Sequence, residues 1–385
     1  MICRTICVCI IYIRISSALG NEDSKLNFTG LGLKYGHIVE EHNVDTEDGY
    51  ILKLFHIPGD PRRPVLLVHG IIDSSDTFII RGNGSLAISL ANKGYDIWAL
   101  NTRGNRYSKA HKYLNPDDGT FWNFSFHEMG YYDLPATIDY ILNRTNQKQL
   151  SAIGHSQGNT HFYVLGSTRP EYNDKVKVII ALAPICFLHN VKPPTSTLLA
   201  LLPSVGNLLQ TLGMEEVFSD DSVLNDGIKA ICNEKELGYE LCASGVFFAI
   251  GGSDPSELEP DFLPVVVSHY PTSTSRKNGV HVAQVALRKS FSQYDYGPIR
   301  NNVVYNTIVP PSYDLGKVKM RVALFVGRND GISSIRDTEL LRDRLPNVEY
   351  RLLENKKHNH LDHVWGRNMY QYLFPHIFSV LKKYD

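Results

Sequence analysis

Neither sign of charge is in excess: 39 lysines and arginines face 40 aspartates and glutamates over 385 residues, a net charge of −1. That balance gives no electrostatic case for binding to nucleic acid or to an anionic membrane. Past residue 20 no apolar run is long enough to span a bilayer, so the mature chain is expected to be soluble. Internal repeats and low-complexity tracts are missing, which excludes a solenoid. Cysteine is scarce. Of six, Cys3, Cys7 and Cys9 fall near the N-terminus, leaving Cys186, Cys232 and Cys242. So few cannot form a disulfide scaffold, and the length instead allows a large apolar core and two or so domains.

What is there begins with an export signal. Arg4 precedes an apolar stretch from Ile6 to Ile13, and Ala18 and Gly20 fit the small-residue positions of a cleavage site before Asn21. Arg14 interrupts the pattern. Removal of residues 1–20 as a signal peptide leaves 37 basic and 40 acidic residues, a net charge of −3. The Cys232 and Cys242 pair closes a short loop suited to a disulfide in an oxidising compartment, with Cys186 free and buried. Sequons occur at Asn27, Asn83, Asn123 and Asn143. Asn27, Asn83 and Asn143 are the glycosylation candidates. Asn123 lies within Phe121-Trp122-Asn123-Phe124-Ser125-Phe126 and is expected to be packed.

Strands and helices alternate through the first half. Pro64 to His69, Tyr95 to Leu100, Leu150 to Gly154 and Val176 to Ala183 read as buried strands. Ser85 to Lys93 and Asp133 to Asn143, the latter with Asp133 as cap, read as helices. Continuous apolar strands between helices predict an α/β fold with a mainly parallel, doubly wound sheet. The rhythm breaks at Pro184 and resumes with Met320 to Val326. The economical division is a core over 21–183 and 311–385 with an insertion over 184–310.

Gly154-His155-Ser156-Gln157-Gly158 stands between a strand and a helix. A serine in such a G-x-S-x-G turn is pushed out above the sheet, and the glycines let helix and strand approach closely. A serine hydroxyl needs a base to take its proton, and the base needs an orienting carboxylate. In doubly wound hydrolases they follow in the order serine, acid, histidine. Asp330 lies in the loop leaving the strand Arg321 to Val326, whereas Asp337 falls within the next helical pattern. His358, His360 and His363 precede a helical stretch from Trp365 to Leu381, and spacing does not choose among them. The same trio with Asp362 has a rival reading as a zinc site. For the oxyanion, the elbow supplies the Gln157 N–H, and the turn His69-Gly70-Ile71 offers that of Ile71. His69 itself is out of order for a base and is assigned a structural role.

Several segments then resemble the acid lipase family, α/β-hydrolases that include gastric and lysosomal acid lipases. They are VEEHNVDTEDGYIL, LLVHGIIDSSDTF, DIWALNTRGNRYS, FWNFSFHEMGYYDLPATIDYIL, GHSQGNT and HNHLDHVWG. The resemblance runs from about Tyr35 to Phe378 and implies an α/β-hydrolase fold. It implies Ser156 as nucleophile, Asp330 as acid, His360 as base, Gln157 and Ile71 as backbone oxyanion donors, and a Cys232–Cys242 disulfide. It also implies that 184–310 is a cap with a lid. There Leu198, Leu199, Leu201, Leu202, Val205, Leu208, Leu209 and Leu212 either shield the pocket, meet a lipid–water interface or pack the cap itself. Val68, His358 and His363 depart from the glutamine, tyrosine and aromatic residue common in the family. The implied activity is hydrolysis of fatty acyl esters of neutral lipids, without metal or organic cofactor, by a secreted or lysosomal enzyme. The oligomeric state is left open.

Overall fold

The computed structural model describes residues 22–385, so the expected signal peptide lies outside the described residues. Ten strands are assigned among them: β1 (Glu40–Asp45), β2 (Ile51–Ile57), β3 (Asp60–Val68), β4 (Tyr95–Leu100), β5 (Leu150–His155), β6 (Val176–Leu182), β7 (Glu216–Val217), β8 (Thr274–Ser275), β9 (Arg321–Val326) and β10 (Val348–Leu352). Eight of them form one sheet in the order β1-β2-β4-β3-β5-β6-β9-β10, while β7 and β8 pair separately. The first two junctions, β1/β2 and β2/β4, are antiparallel and every later one is parallel. The sheet is therefore mainly parallel, as the apolar runs predict.

The two-residue period of a strand sends alternate side chains to opposite faces. Val65, Leu67, Ile97, Ala99, Ile153 and Ile180 join one apolar cluster with Ile377 and Leu381 of the helix Phe374–Tyr384. Leu66, Trp98, Leu100, Ala152, Ile179 and Ala181 join the other, with Ile138 and Ile141 of the helix Leu134–Thr145 and Phe162 of the helix Gln157–Thr168. Burial on both faces explains why these strands read as unbroken hydrophobic runs.

Three expectations need correction. Asp133 does not cap its helix: it has helical φ and ψ of −69° and −47°, and helical structure already begins at Phe126. Its carboxylate is instead spent on Arg103, whose Nε donates to Asp133 at 2.8 Å while its terminal nitrogens grip Asp48. The segments TEDGY, NTRGN and YYDLP thus meet at one buried guanidinium. Secondly, the stretch from Trp365 to Leu381 is not one helix but the helices Asp362–Trp365, Met369–Tyr372 and Phe374–Tyr384, interrupted at Gly366 and Leu373. Lastly, Asn123 is exposed, although Phe121, Trp122, Phe124 and Phe126 around it are buried. Its amide oxygen accepts from Lys277 Nζ at 3.1 Å. Asn27, Asn83 and Asn143 are also exposed.

Between Leu182 and Arg321 the main sheet takes no strand, and the chain is largely helical. The helix Thr195–Thr211 packs on the helix Arg276–Arg288, and Gly206 lies so close to Val280 that a β-carbon would fall 2.4 Å from its methyl. Cys232 and Cys242 are joined in a disulfide, and Cys186 is a buried free thiol.

Candidate active site

Ser156 follows β5 directly and opens the helix Gln157–Thr168 with φ +53° and ψ −122°. That backbone is strained for a residue with a β-carbon, at about 1–3 kcal/mol. Local bonds over-determine it: Ser156 N donates to Leu182 O at 3.0 Å, and Asn159 Nδ2 reaches Ser156 O and Leu182 O at 3.2 and 2.9 Å. The flanking glycines are sterically required. A β-carbon on Gly158 would stand 2.3 Å from Val68 O, and one on Gly154 2.3 Å from Asn159 Oδ1.

The Ser156 hydroxyl lies 2.9 Å from His360 Nε2, and His360 Nδ1 lies 3.0 Å from Asp330 Oδ2. With Nδ1–H donating to the carboxylate, Nε2 is left to accept the serine proton. Asp330 is held from behind by the Ile332 and Ser333 amides, which donate to its Oδ1 at 2.8 and 2.7 Å. The three residues come from three loops at the carboxyl ends of β5, β9 and β10. Asp337 points away, its carboxylate accepting from the His189 and Asn190 amides.

Of the histidine cluster, only His360 reaches the serine. His358 and His363 pack against each other with rings 4.2 Å apart, wholly buried, and do not join Asp362 in a group that could share a metal ion. Burial pushes His358 down to about 3 and His363 well below its ordinary value, so both stay neutral. His69 is likewise neutral, lowered to about 4 by burial. Its Nδ1–H donates to Gly70 O while Nε2 accepts from Thr102 N, tying the loop after β3 to the loop after β4.

Two contributors escaped the reading of the sequence. The His155 Nε2–H donates to the His360 carbonyl at 3.0 Å, fixing the His360 backbone to β5. The Gly251 carbonyl, from the segment between β6 and β9, accepts from His360 N at 3.0 Å and Gly331 N at 3.1 Å. One oxygen therefore holds both the histidine loop and the acid loop. No local pattern could have signalled either contact, because His155 and Gly251 lie far from their partners in the chain.

Ser156 and His360 open into a cavity of about 620 Å³ lined with them by Gly70, Ile71 and Gln157 on one side. Leu199, Leu202, Ile228, Leu241, Phe247 and Val282 line it on the other. Gln157 is pinned by a reciprocal amide pair with Asn278 at 3.0 and 3.2 Å. The leucine-rich helix divides its side chains: Leu199 is buried, while Leu198, Leu201, Val205, Leu208 and Leu212 are 45–63% exposed along one face. Among the described residues no helix is long and apolar enough to cross a membrane.

Residues 63–227 match the alpha/beta hydrolase fold family, and residues 30–82 match the partial alpha/beta-hydrolase lipase region. The chain is 37% identical to Lipase 3 of Drosophila melanogaster over 361 residues, 91% of each protein. It is 34% identical to the human gastric triacylglycerol lipase over 374 residues, 94% of this chain and 93% of that one. Among solved structures, a Sulfolobus solfataricus protein superposes with a TM-score of 0.62 at 14% identity, covering 90% of this chain and 94% of that chain. A soluble variant of the monoglyceride lipase from Saccharomyces cerevisiae gives 0.53 at 15% identity, covering 90% and 94%. These two likenesses concern the fold alone.

Proposed function

Because this chain belongs to the α/β-hydrolase lipases, we propose that it cleaves fatty acyl esters of neutral lipids, such as triacylglycerols or sterol esters, at a lipid–water interface. The observation that carries this reading is the bonded sequence Ser156–His360–Asp330 at the floor of an apolar cavity. His360 Nε2 takes the Ser156 proton as Oγ attacks the ester carbonyl. The Gln157 and Ile71 N–H groups stabilise the oxyanion, Gln157 at a helix N-terminus where partial positive charge gathers. His360 then protonates the departing alcohol, and water repeats the cycle on the acyl-enzyme.

In this reading residues 21–183 and 311–385 form the hydrolase core and 184–310 a cap. The exposed face of Leu198, Leu201, Val205, Leu208 and Leu212 meets the lipid, while Leu199 and Leu202 face the acyl chain. Residues 1–20 direct export, placing the enzyme in a secreted or lysosomal compartment with sugars at Asn27, Asn83 and Asn143.

The deciding comparison is hydrolysis of an emulsified long-chain triacylglycerol against a soluble short-chain ester. A preference for the emulsion supports the proposal, and activity confined to the soluble ester overturns it. Silence on both, with folded protein, points to a lipid carrier. Leu201→Asp with Leu208→Asp is expected to cut emulsion turnover about tenfold or more, the equivalent of losing partial burial of two leucines. Soluble-ester turnover should hold. Equal losses on both substrates would count against the interfacial role of that face.

A further inference from the structure

The far edge of the sheet carries a second cluster of chemistry-bearing side chains that the ester chemistry does not use. In β1, Glu40 and His42 are two residues apart and share a face. The antiparallel register sets His56 of β2 directly opposite Glu40, which brings the three side chains together. Glu40 Oε2 lies 3.2 Å from His42 Nε2 and 3.0 Å from His56 Nδ1, and the three donor atoms all fall within 4.8 Å of one another. Neighbouring ligands of a tetrahedral zinc ion stand about 3.4 Å apart, so little movement is needed.

Both imidazoles are oriented from behind. His56 Nε2–H donates to Asp96 at 2.6 Å, and Asp96 is itself fixed by Trp98 Nε1–H at 2.6 Å and the Gly59 amide at 3.0 Å. The His56 ring stacks on Trp98 with centroids 3.7 Å apart. His42 Nδ1 meets the Tyr140 hydroxyl at 3.0 Å. A carboxylate or hydroxyl on the distal ring nitrogen is the support that metal-binding histidines ordinarily have. Glu40 is exposed, which leaves a path for an ion and a water molecule.

We propose that Glu40, His42 and His56 bind one zinc-class divalent cation, with water as fourth ligand and Asp96 and Tyr140 as supports. The ion would replace the protons now shared between the imidazoles and Glu40. It would clamp β1, the outermost strand, to β2. β4 and β3 separate β2 from β5, whose end carries Ser156.

The test is calorimetric titration of chelator-stripped full-length protein with zinc chloride at about neutral pH, where imidazole is largely unprotonated. One zinc per chain is expected, with a raised thermal midpoint. His42→Gln with His56→Gln should abolish stoichiometric binding, and Asp96→Asn should weaken it about 10- to 100-fold. Hydrolysis of a soluble ester, unchanged throughout, certifies the fold. Should the double variant not fold, Glu40→Gln, at an exposed position, must still weaken binding by about tenfold or more. Absence of stoichiometric binding in the parent protein, or equal binding in the variants, overturns the proposal.

Discussion

Ser156→Ala is expected to lower kcat/KM on any ester this protein cleaves by about 10,000-fold or more, equivalent to about 5.4 kcal/mol of transition-state stabilisation. His360 would keep its bonds to Asp330 and to Gly251 O, and the elbow would keep its bonds from Asn159, so the fold should be intact. The hydroxyl alone is lost. The positive φ of Ser156 adds a second arm. Ser156→Gly should be as inactive as the alanine variant yet more stable by about 1 kcal/mol, because glycine adopts that backbone without strain. Steady-state kinetics and thermal denaturation of the two variants check both arms. An alanine variant with activity near that of the parent would remove Ser156 from the mechanism.

The second large effect concerns acid. His69, His155, His161, His281, His358 and His363 are buried, and burial lowers each: His69 to about 4, His155, His161, His281 and His358 to about 3, and His363 well below its ordinary value. Each takes up its proton only on unfolding. Between the unfolded value of 6.5 and these lowered values the unfolded chain therefore binds more protons, and stability falls as pH falls. Asp73, raised by burial to about 8, Asp133, raised to about 6, and Asp362, raised well above its ordinary value, act in the opposite direction. Those three carboxyls are outnumbered by the six imidazoles. A net uptake of only one or two protons on unfolding costs about 1.4–2.7 kcal/mol per pH unit.

The thermal midpoint should accordingly drop by roughly 4–7 °C between about pH 6.5 and pH 4.5. His363→Leu, which removes one such group, should flatten that slope. A midpoint that is constant or rises toward acid would refute this account. If the protein acts at acid pH, it does so where its own fold is weakened.

Legibility in the sequence followed burial. β3, β4, β5, β6 and β9 lie within the sheet and read as plain apolar runs. β1, with Glu40, Glu41 and Asn43 facing water, carries no such signature, and β10 alternates between partial and full exposure at the opposite edge. Ser156 and Asp330 were marked by chain order and by the loops around them. His360 was separated from His358 and His363 only through a family resemblance, since burial and direction, which distinguish the three, leave no trace in spacing. In the histidine run that also reads as a zinc site, His358 and His363 are wholly buried and packed on each other. The histidines suited to an ion sit on two paired strands, and pairing register is not written in either strand alone.

The pairing of β6 with β9 has a consequence for the order of assembly. Joining them closes a loop of about 140 residues, at an entropic cost of about 4 kcal/mol before any contact repays it. The Asn159 and Leu182 bonds that shape the Ser156 turn precede that loop; Gly251 lies within it, and Asp330 and His360 both follow it. During synthesis Ser156 can thus be folded into its turn while Asp330 and His360 are still untranslated. A chain released early would hold a finished elbow and no means of activating it. On the proposed mechanism, hydrolysis begins only once β9 and β10 have docked and brought Asp330 and His360 to the elbow.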